Sequence, residues 1–184
     1  GTPGSIELSQ AEDTLDAAGR TTVKVAVGQP PKGKPARAVV EAAVTDVNRQ
    51  MVGARTSVVI HPASFYIGAR PEGNDYFWVA GTPERVSVIA VRPDGRRVNG
   101  VRIEGTVVRR EWHRVHRTRG GFSEVYGEWV SDTVGRCSIT TSGQGAGECR
   151  VTPPSGGSYT VSFTAADEAG RPVLTSLFRW ATGK

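Results

Sequence analysis

The chain has 184 residues and a formal net charge of +5. This length is enough for one or two domains with a buried core, and no apolar run approaches the roughly 18 residues that a membrane-spanning helix needs. Most of the excess positive charge lies between residues 92 and 119, so it is a local feature. The first residues, GTPGS, are typical of a cloning remnant, and we therefore expect a piece of a longer protein whose targeting signal lies elsewhere.

Alternating and β-branched segments follow one another along the chain, whereas helical periodicity is almost absent. The first three are residues 22–27 (TVKVAV), 38–45 (AVVEAAVT) and 56–61 (TSVVIH). From residue 76 the candidate strands are YFWVA, RVSVIAV, VNGVRIEGTVV, an arginine-rich stretch, FSEVYGEWV, a cysteine-containing segment, SYTVSFTAA and VLTSLFRWA. The sequence therefore predicts an all-β protein of tandem immunoglobulin-like β-sandwich domains.

One kind of turn recurs between these segments. An aspartate and a glycine separate apolar runs at residues 16–20, 94–96 and 167–171, and residues 46–49 are a looser version without the glycine. Aspartate accepts hydrogen bonds from the backbone ahead of it and glycine adopts the positive φ of tight turns. These positions are therefore predicted to be turns between strands.

A domain boundary is predicted near residue 62. Only three or four candidate strands precede it, which is few for a sandwich, whereas eight or nine follow it. We therefore interpret residues 6–62 as a partial or minimal β-domain and residues 63–184 as a complete sandwich. The segment QPPKGKP, residues 29–35, has three prolines and is predicted to be a loop within the first domain.

Two cysteines, Cys137 and Cys149, are twelve residues apart in RCSITTSGQGAGECRV. The glycine-rich middle is typical of a hairpin loop, which would set the cysteines opposite each other on paired strands. We expect a disulfide across that hairpin and therefore an oxidising compartment. No C-x-x-C spacing or nearby histidine pair completes a zinc site, so we predict no metal and no cofactor.

The arginine-rich stretch RREWHRVHRTRGG, residues 109–121, contains five arginines, two histidines and one tryptophan. The alternation of the preceding strand, with Ile103 and Val107 apolar, stops at residue 109, so the chain is expected to leave the core beyond residue 108. We predict a protruding hairpin at residues 111–130. Aromatic and aliphatic side chains would pack across it, as isolated hairpins require. They are Trp112, Val115, Tyr126 and Trp129.

Several functions compete for this hairpin. Arginines interleaved with aromatics suit nucleic acid, but three glutamates share the hairpin and no recognition signature accompanies it, so no nucleic acid is expected. His113 and His116 are three apart on a strand, which points them to opposite faces, and no nucleophile motif is present. We therefore expect no enzyme. It also remains open that the hairpin is a solvated basic segment that only covers a sheet edge, where its charges discourage aggregation.

The hairpin also has the features of a segment that proteases can cut, since proteases bind exposed, extended chain. Basic and aromatic side chains would suit enzymes of different preference. The candidate cleavage residues are Arg114, Arg117, Arg119, Phe122 and Tyr126.

Three segments together resemble the bacterial α2-macroglobulins, which are large cell-envelope protease traps built from macroglobulin-type β-sandwiches. They are VEAAVTDVNRQMVGARTSVVIHPASFYIGARP (residues 40–71), VIAVRPDGRRVNGVRIEGTVVRREW (88–112) and GRCSITTSGQGAGECRVTPPSGGSYTVSFTAADEAGR (135–171). The resemblance covers most of residues 37–180. It implies that the first domain is a partial macroglobulin-like domain and that the second resembles the one carrying the family's bait region.

The bait is an exposed segment whose cleavage triggers the rearrangement that entraps a protease. The resemblance places it at about residues 111–130, in a broad-spectrum inhibitor of the periplasm or cell envelope whose parent can be lipid-anchored. Its partners would be target proteases and the remaining domains of a larger parent chain. The family's thioester motif, C-x-E-Q, is absent here, because Cys149 is followed by Arg150, Val151 and Thr152. Covalent capture by this chain is therefore excluded.

An alternative function belongs to a different class. A structural or adhesive β-sandwich module would bind an acidic polymer or envelope partner through the basic hairpin. That alternative predicts salt-sensitive binding that is lost when Arg114, Arg117 and Arg119 become alanine.

Overall fold

The structure is a computed structural model that describes residues 7–28, 34–73, 77–119 and 122–183, with the side chains at 115–126 outside the description. These ranges contain strands and turns and no helix, which confirms the all-β prediction. The described residues form no helix that is long and apolar enough to cross a membrane. The strands are β1 (Ala36–Thr45), β2 (Met51–Ile60), β3 (Tyr66–Pro71), β4 (Phe77–Val79), β5 (Glu84–Val91), β6 (Arg102–Arg119), β7 (Phe122–Thr140), β8 (Ala146–Val151), β9 (Gly157–Ala166) and β10 (Pro172–Thr182).

Two sheets form the sandwich. One has the strand order β4-β10-β9-β6-β7 and the other has the order β3-β5-β8. Neighbouring strands run antiparallel except β4 and β10, which are parallel. The two sheets share one hydrophobic core, as expected for a β-sandwich.

The core follows the two-residue period of its strands. Every second residue points inward, and the inward side chains of β5 and β9 are fully buried. On β6 the inward face has Ile103 and Val107 with Gly105 between them. A Cβ at Gly105 would collide with the sulfur of Cys137 and lie 3.1 Å from the Phe163 ring. Glycine at this position therefore makes room for the disulfide. The buried apolar side chains of β5 and β9 are Val86, Val88, Ala90, Tyr159, Val161 and Phe163.

Strands β1 and β2 form a separate hairpin in which they pair only with each other among the named strands. The predicted strands at residues 38–45 and 56–61 are present here, although β2 begins five residues earlier, at Met51. One face of the hairpin is almost wholly apolar and nearly all of it is exposed. The assignment of residues 6–62 as a partial domain stays a prediction.

The predicted strand at residues 22–27 is wrong. Val23, Val25 and Val27 alternate in the sequence, but residues 21–28 have no regular structure and these valines are exposed. Alternation favours a strand only where a neighbouring strand supplies hydrogen bonds and another layer covers the apolar face. Strand β3 is not among the predicted strands, because its short YIGARP segment includes a glycine and ends in a proline.

The four predicted turns are all present. They span residues 16–20, 46–50, 92–96 and 167–171. In each turn the backbone N–H of the first residue donates to the carbonyl of the fifth, and the N–H of the fourth donates to the carbonyl of the first. The fourth residue has a positive φ, which is 72° at Gly19, 86° at Gly95, 72° at Gly170 and 65° at Arg49. Arg49 explains why the turn at residues 46–50 looked looser, since it takes the left-handed conformation that glycine adopts elsewhere.

The turn that contains Asp167 is also tied to the start of the sandwich. One carboxylate oxygen of Asp167 accepts from the backbone N–H groups of Ala169 and Arg171. The other accepts from the Arg171 guanidinium at 2.8 Å and from the Ser64 N–H at 3.0 Å. The Arg171 side chain, helped by these backbone donors, holds the pKa of Asp167 well below its ordinary range.

Cys137 and Cys149 form the expected disulfide, with their Cα atoms 5.9 Å apart. The expected pairing of their strands is wrong, because β7 pairs with β6 and β8 pairs with β5. A turn does form at residues 142–146. Beyond it, however, the Ala90 N–H donates to the Gly145 carbonyl and β8 continues along β5. The disulfide therefore joins the two sheets of the sandwich instead of two strands of one hairpin.

We expect the double variant Cys137→Ala/Cys149→Ala to lower the free energy of unfolding by about 2–4 kcal/mol, because the cross-link restricts the unfolded chain. Urea unfolding measures the change, and reduction of the unmodified chain should give a similar loss. Thiol titration of the unfolded, unreduced chain should find no free thiol. Two free thiols would contradict the disulfide.

We expect Asp167→Asn to destabilise the sandwich at neutral pH and to remove part of its acid sensitivity. A carboxylate whose pKa is lowered in the folded state stabilises fully above its ordinary value of 3.8 and loses this contribution as the pH falls below it. The stability difference between variant and parent should therefore shrink on acidification. Thermal unfolding across the acid range measures it. Asp46→Asn, in the equivalent turn of the β1–β2 hairpin, is the matched control and should leave the sandwich unchanged.

Candidate functional site: the two-stranded ribbon

Strand β6 leaves the sandwich part-way along its length. It pairs with β7 from Arg102 to Arg119, but it pairs with β9 only from Glu104 to Arg110. From Glu111 outward, β6 and β7 are therefore a two-stranded ribbon, whose register runs from Glu111 opposite Val130 to Arg119 opposite Phe122. We call this segment, residues 111–130, the ribbon; residues 120 and 121 lie outside the described residues, and its protrusion stays a prediction.

A β-bulge precedes the departure point. Val107 lies opposite Gly135 and Val108 lies opposite Thr133, so Val134 is an extra residue on β7. An extra residue bends a strand and increases its twist. The bulge is thus placed to redirect the ribbon just before the pairing of β6 with β9 ends.

Arg109 anchors the base of the ribbon. Its guanidinium donates to the Gly156 carbonyl from Nε at 3.2 Å and from Nη2 at 2.8 Å, and it forms an ion pair with Glu111. The Arg109 side chain is 19% exposed. His113 Nε2 lies 3.4 Å from the other Glu111 oxygen. Arg109 therefore belongs to the framework of the sandwich.

A tryptophan pair lies just beyond the base. Trp112 and Trp129 are register partners, and their ring centroids are 5.2 Å apart at an interplanar angle of 66°. The Arg110 guanidinium lies 5.1 Å from the Trp129 ring centroid. The indole of Trp112 covers Gly127, where a Cβ would collide with the ring. The predicted contact of the two tryptophans is confirmed. Val115 and Tyr126 are register partners, but their side chains lie outside the description.

The two faces of the ribbon differ in charge. Strand alternation and the register divide the described residues at 109–114 and 127–132 into two sets. The Trp–Arg face has Arg110, Trp112, Arg114, Gly127, Trp129 and Ser131. The opposite, mixed-charge face has Arg109, Glu111, His113, Glu128, Val130 and Asp132. Every carboxylate of these two stretches therefore lies on the mixed-charge face.

The candidate cleavage residues occupy the outer part of the ribbon. Arg114 is exposed. The backbone of Arg117 and Arg119 lies in β6 and that of Phe122 and Tyr126 lies in β7, while all four side chains lie outside the description. Over these residues β6 and β7 pair only with each other among the described strands, so the other edge of each has no described partner strand. Their use by proteases stays a prediction.

The fold has neighbours among solved structures. The native conformation of E. coli alpha-2-macroglobulin has a TM-score of 0.54 and 13% sequence identity over 80% of this chain and 10% of that one. Salmonella alpha-2-macroglobulin reacted with methylamine has a TM-score of 0.55 and 15% identity over 91% of this chain and 12% of that one. This chain thus spans about a tenth of the length of the proteins it resembles.

No family model matches the sequence, and no curated protein matches it. At such low identity a structural likeness shows the fold alone. The fold is a macroglobulin-type β-sandwich, here with a long ribbon extending from one of its strands.

Proposed function

We propose that this chain supplies β-sandwich structure and a protease-cleavable segment to a larger protease inhibitor of the bacterial α2-macroglobulin type. The observation that carries the proposal is the ribbon at residues 111–130, a pair of strands on a macroglobulin-type sandwich that no other described strand joins. The chain itself performs no catalysis. Its partners are target proteases and the remaining domains of the parent chain.

The ribbon can open without disturbing the core. None of its residues with described side chains is buried, whereas the buried apolar side chains of β6 and β7 are Ile103, Val107 and Ile139, which lie within the sandwich. Two-stranded hairpins are only marginally stable by themselves. Local opening of the ribbon therefore costs less free energy than unfolding of the sandwich, and opening is what a protease needs to bind the chain as an extended strand.

The base of the ribbon would survive a cut. Residues 104–110 of β6 are hydrogen-bonded to β9 and β7, and Arg109 donates to the Gly156 carbonyl. Cys137 and Cys149 both lie after the ribbon, so a cut leaves both in the C-terminal piece. The disulfide there still joins β7 to β8 of the three-stranded sheet. Cleavage thus frees two strands while leaving the sandwich folded.

The disulfide also bears on location. Disulfides persist in oxidising compartments such as the bacterial periplasm, and the chain has its two cysteines joined between the sheets. A periplasmic or envelope location supports contact with proteases that enter from outside the cell.

Limited proteolysis of the native chain, followed by mass mapping, tests the proposal. Within residues 63–183, we expect the first trypsin and chymotrypsin cuts to fall at 111–130, because opening of the ribbon is the least costly local transition. The variant Arg114→Gln/Arg117→Gln/Arg119→Gln should lose the tryptic cuts and keep the chymotryptic ones. An intact ribbon in a chain that is cut at residues 29–35 or 92–96 would overturn the assignment.

We expect Trp129→Ala to raise the rate of cleavage within the ribbon about two- to tenfold, since a cross-strand aromatic pair contributes about 0.5–1.5 kcal/mol beyond its buried area and cleavage follows the population of the open form. Hydrogen exchange of the ribbon amides should accelerate by a similar factor. Trp180→Ala, which removes an exposed tryptophan on β10, is the matched control. Equal acceleration in both variants would exclude the Trp112–Trp129 pair as the closing contact.

A further inference from the structure

The Trp–Arg face combines two exposed indoles with two cations. Trp112 and Trp129 are 55% and 53% exposed, and Arg110 and Arg114 are exposed on the same face. Glu111, Glu128 and Asp132, by contrast, lie on the mixed-charge face. The glutamates that weighed against an anionic ligand in the sequence therefore do not share the Trp–Arg face in the described stretches.

The geometry of this face suits a ligand that has both rings and negative charge. The Trp112 indole contacts Gly127 and Trp129, and about half of its surface is still exposed to a ligand. The Arg110 guanidinium lies over the Trp129 ring and the side chain is exposed, so N–H groups remain available to bind an anion. Arg114 lies four residues further along β6, about 13 Å away at about 3.3 Å per residue. The indoles thus lie between two cations.

We propose that the Trp–Arg face, formed by Arg110, Trp112, Arg114 and Trp129, binds an anionic glycan. The C–H face of a sugar ring packs on the Trp112 indole, whose π-surface attracts positively polarised hydrogens. Carboxylate, phosphate or sulfate groups of the glycan accept hydrogen bonds from Arg110 and Arg114. This surface differs from the sequence-based alternative at Arg114, Arg117 and Arg119, because it lies at the base of the ribbon and depends on aromatic side chains.

The compartment favours a glycan over a nucleic acid. Single-stranded nucleic acids also stack on aromatic side chains and bind arginines. The disulfide between Cys137 and Cys149, however, indicates an oxidising compartment, and anionic polysaccharides are abundant at cell envelopes and surfaces. Arg114 belongs to both sites, whereas Arg117, Arg119, Phe122 and Tyr126 lie further out along the ribbon, so a glycan bound at the base leaves four of the five candidate cleavage residues free.

Calorimetric titration of the full chain with a polyuronate oligomer at low ionic strength tests the site. We expect saturable binding that weakens at high salt. Trp112→Ala and Arg110→Ala should each weaken it about fivefold or more, while Trp112→Phe, which keeps an aromatic platform, should retain most of the affinity. Arg102→Ala, eight residues before Arg110 on β6, is the matched control for charge and should bind within about twofold of the parent.

The same titration with a neutral glucose oligomer and with an oligothymidine identifies the ligand class. Weaker binding of both supports an anionic glycan. Tighter binding of the oligothymidine would overturn the assigned class, and equal binding of the neutral oligomer would overturn the role of the arginines. No saturable polyuronate binding, or an equal loss in Arg102→Ala and Arg110→Ala, would overturn the site itself.

Discussion

The ribbon, and every function argued for it, depends on one constraint, which is the fixation of β6 on both edges between Glu104 and Arg110. On the inner side of this segment, Val107 packs into the core and Gly105 admits the disulfide and the Phe163 ring. A strand held on both edges and on its inner face transmits its direction to whatever follows it. Residues 111–119 therefore leave the sandwich as an extension of a rigid strand, whereas a loop of the same length would sample many directions.

The disulfide reinforces the same region from the other side. It joins β7, the edge strand that pairs with β6, to β8 of the opposite sheet. An edge strand has neighbours on one side only, so it is the first part of a sheet to separate. Strand β7 is also the return strand of the ribbon. The disulfide therefore holds the base of the ribbon at the strand that has a hydrogen-bonded neighbour on one edge only. A stable base and a readily opened outer ribbon thus coexist in one pair of strands.

Local signals in the sequence were sufficient for much of the fold. The aspartate and glycine of the turn at residues 167–171 specify their own geometry, and the alternation in β5 and β9 reports burial on one face. The valines at residues 22–27 carry the same alternation and form no strand, because pairing depends on residues far away in the chain. Likewise, the composition around residues 142–147 predicted a turn correctly, but it contains no information about which strand β8 would join. The charge segregation of the ribbon was invisible for a related reason: it requires the register between β6 and β7.

That register is set by a single residue. Because Val134 is extra on β7, the register shifts by one residue between the Val107–Gly135 pair and the Trp112–Trp129 pair. With an uninterrupted ladder, Trp129 would lie opposite His113, and the tryptophans would occupy different faces. Glu128 would then lie opposite Arg114, on the face that now has no carboxylate in the described stretches. The bulge that redirects the ribbon therefore also creates the aromatic pair and separates the acids from the Trp–Arg face.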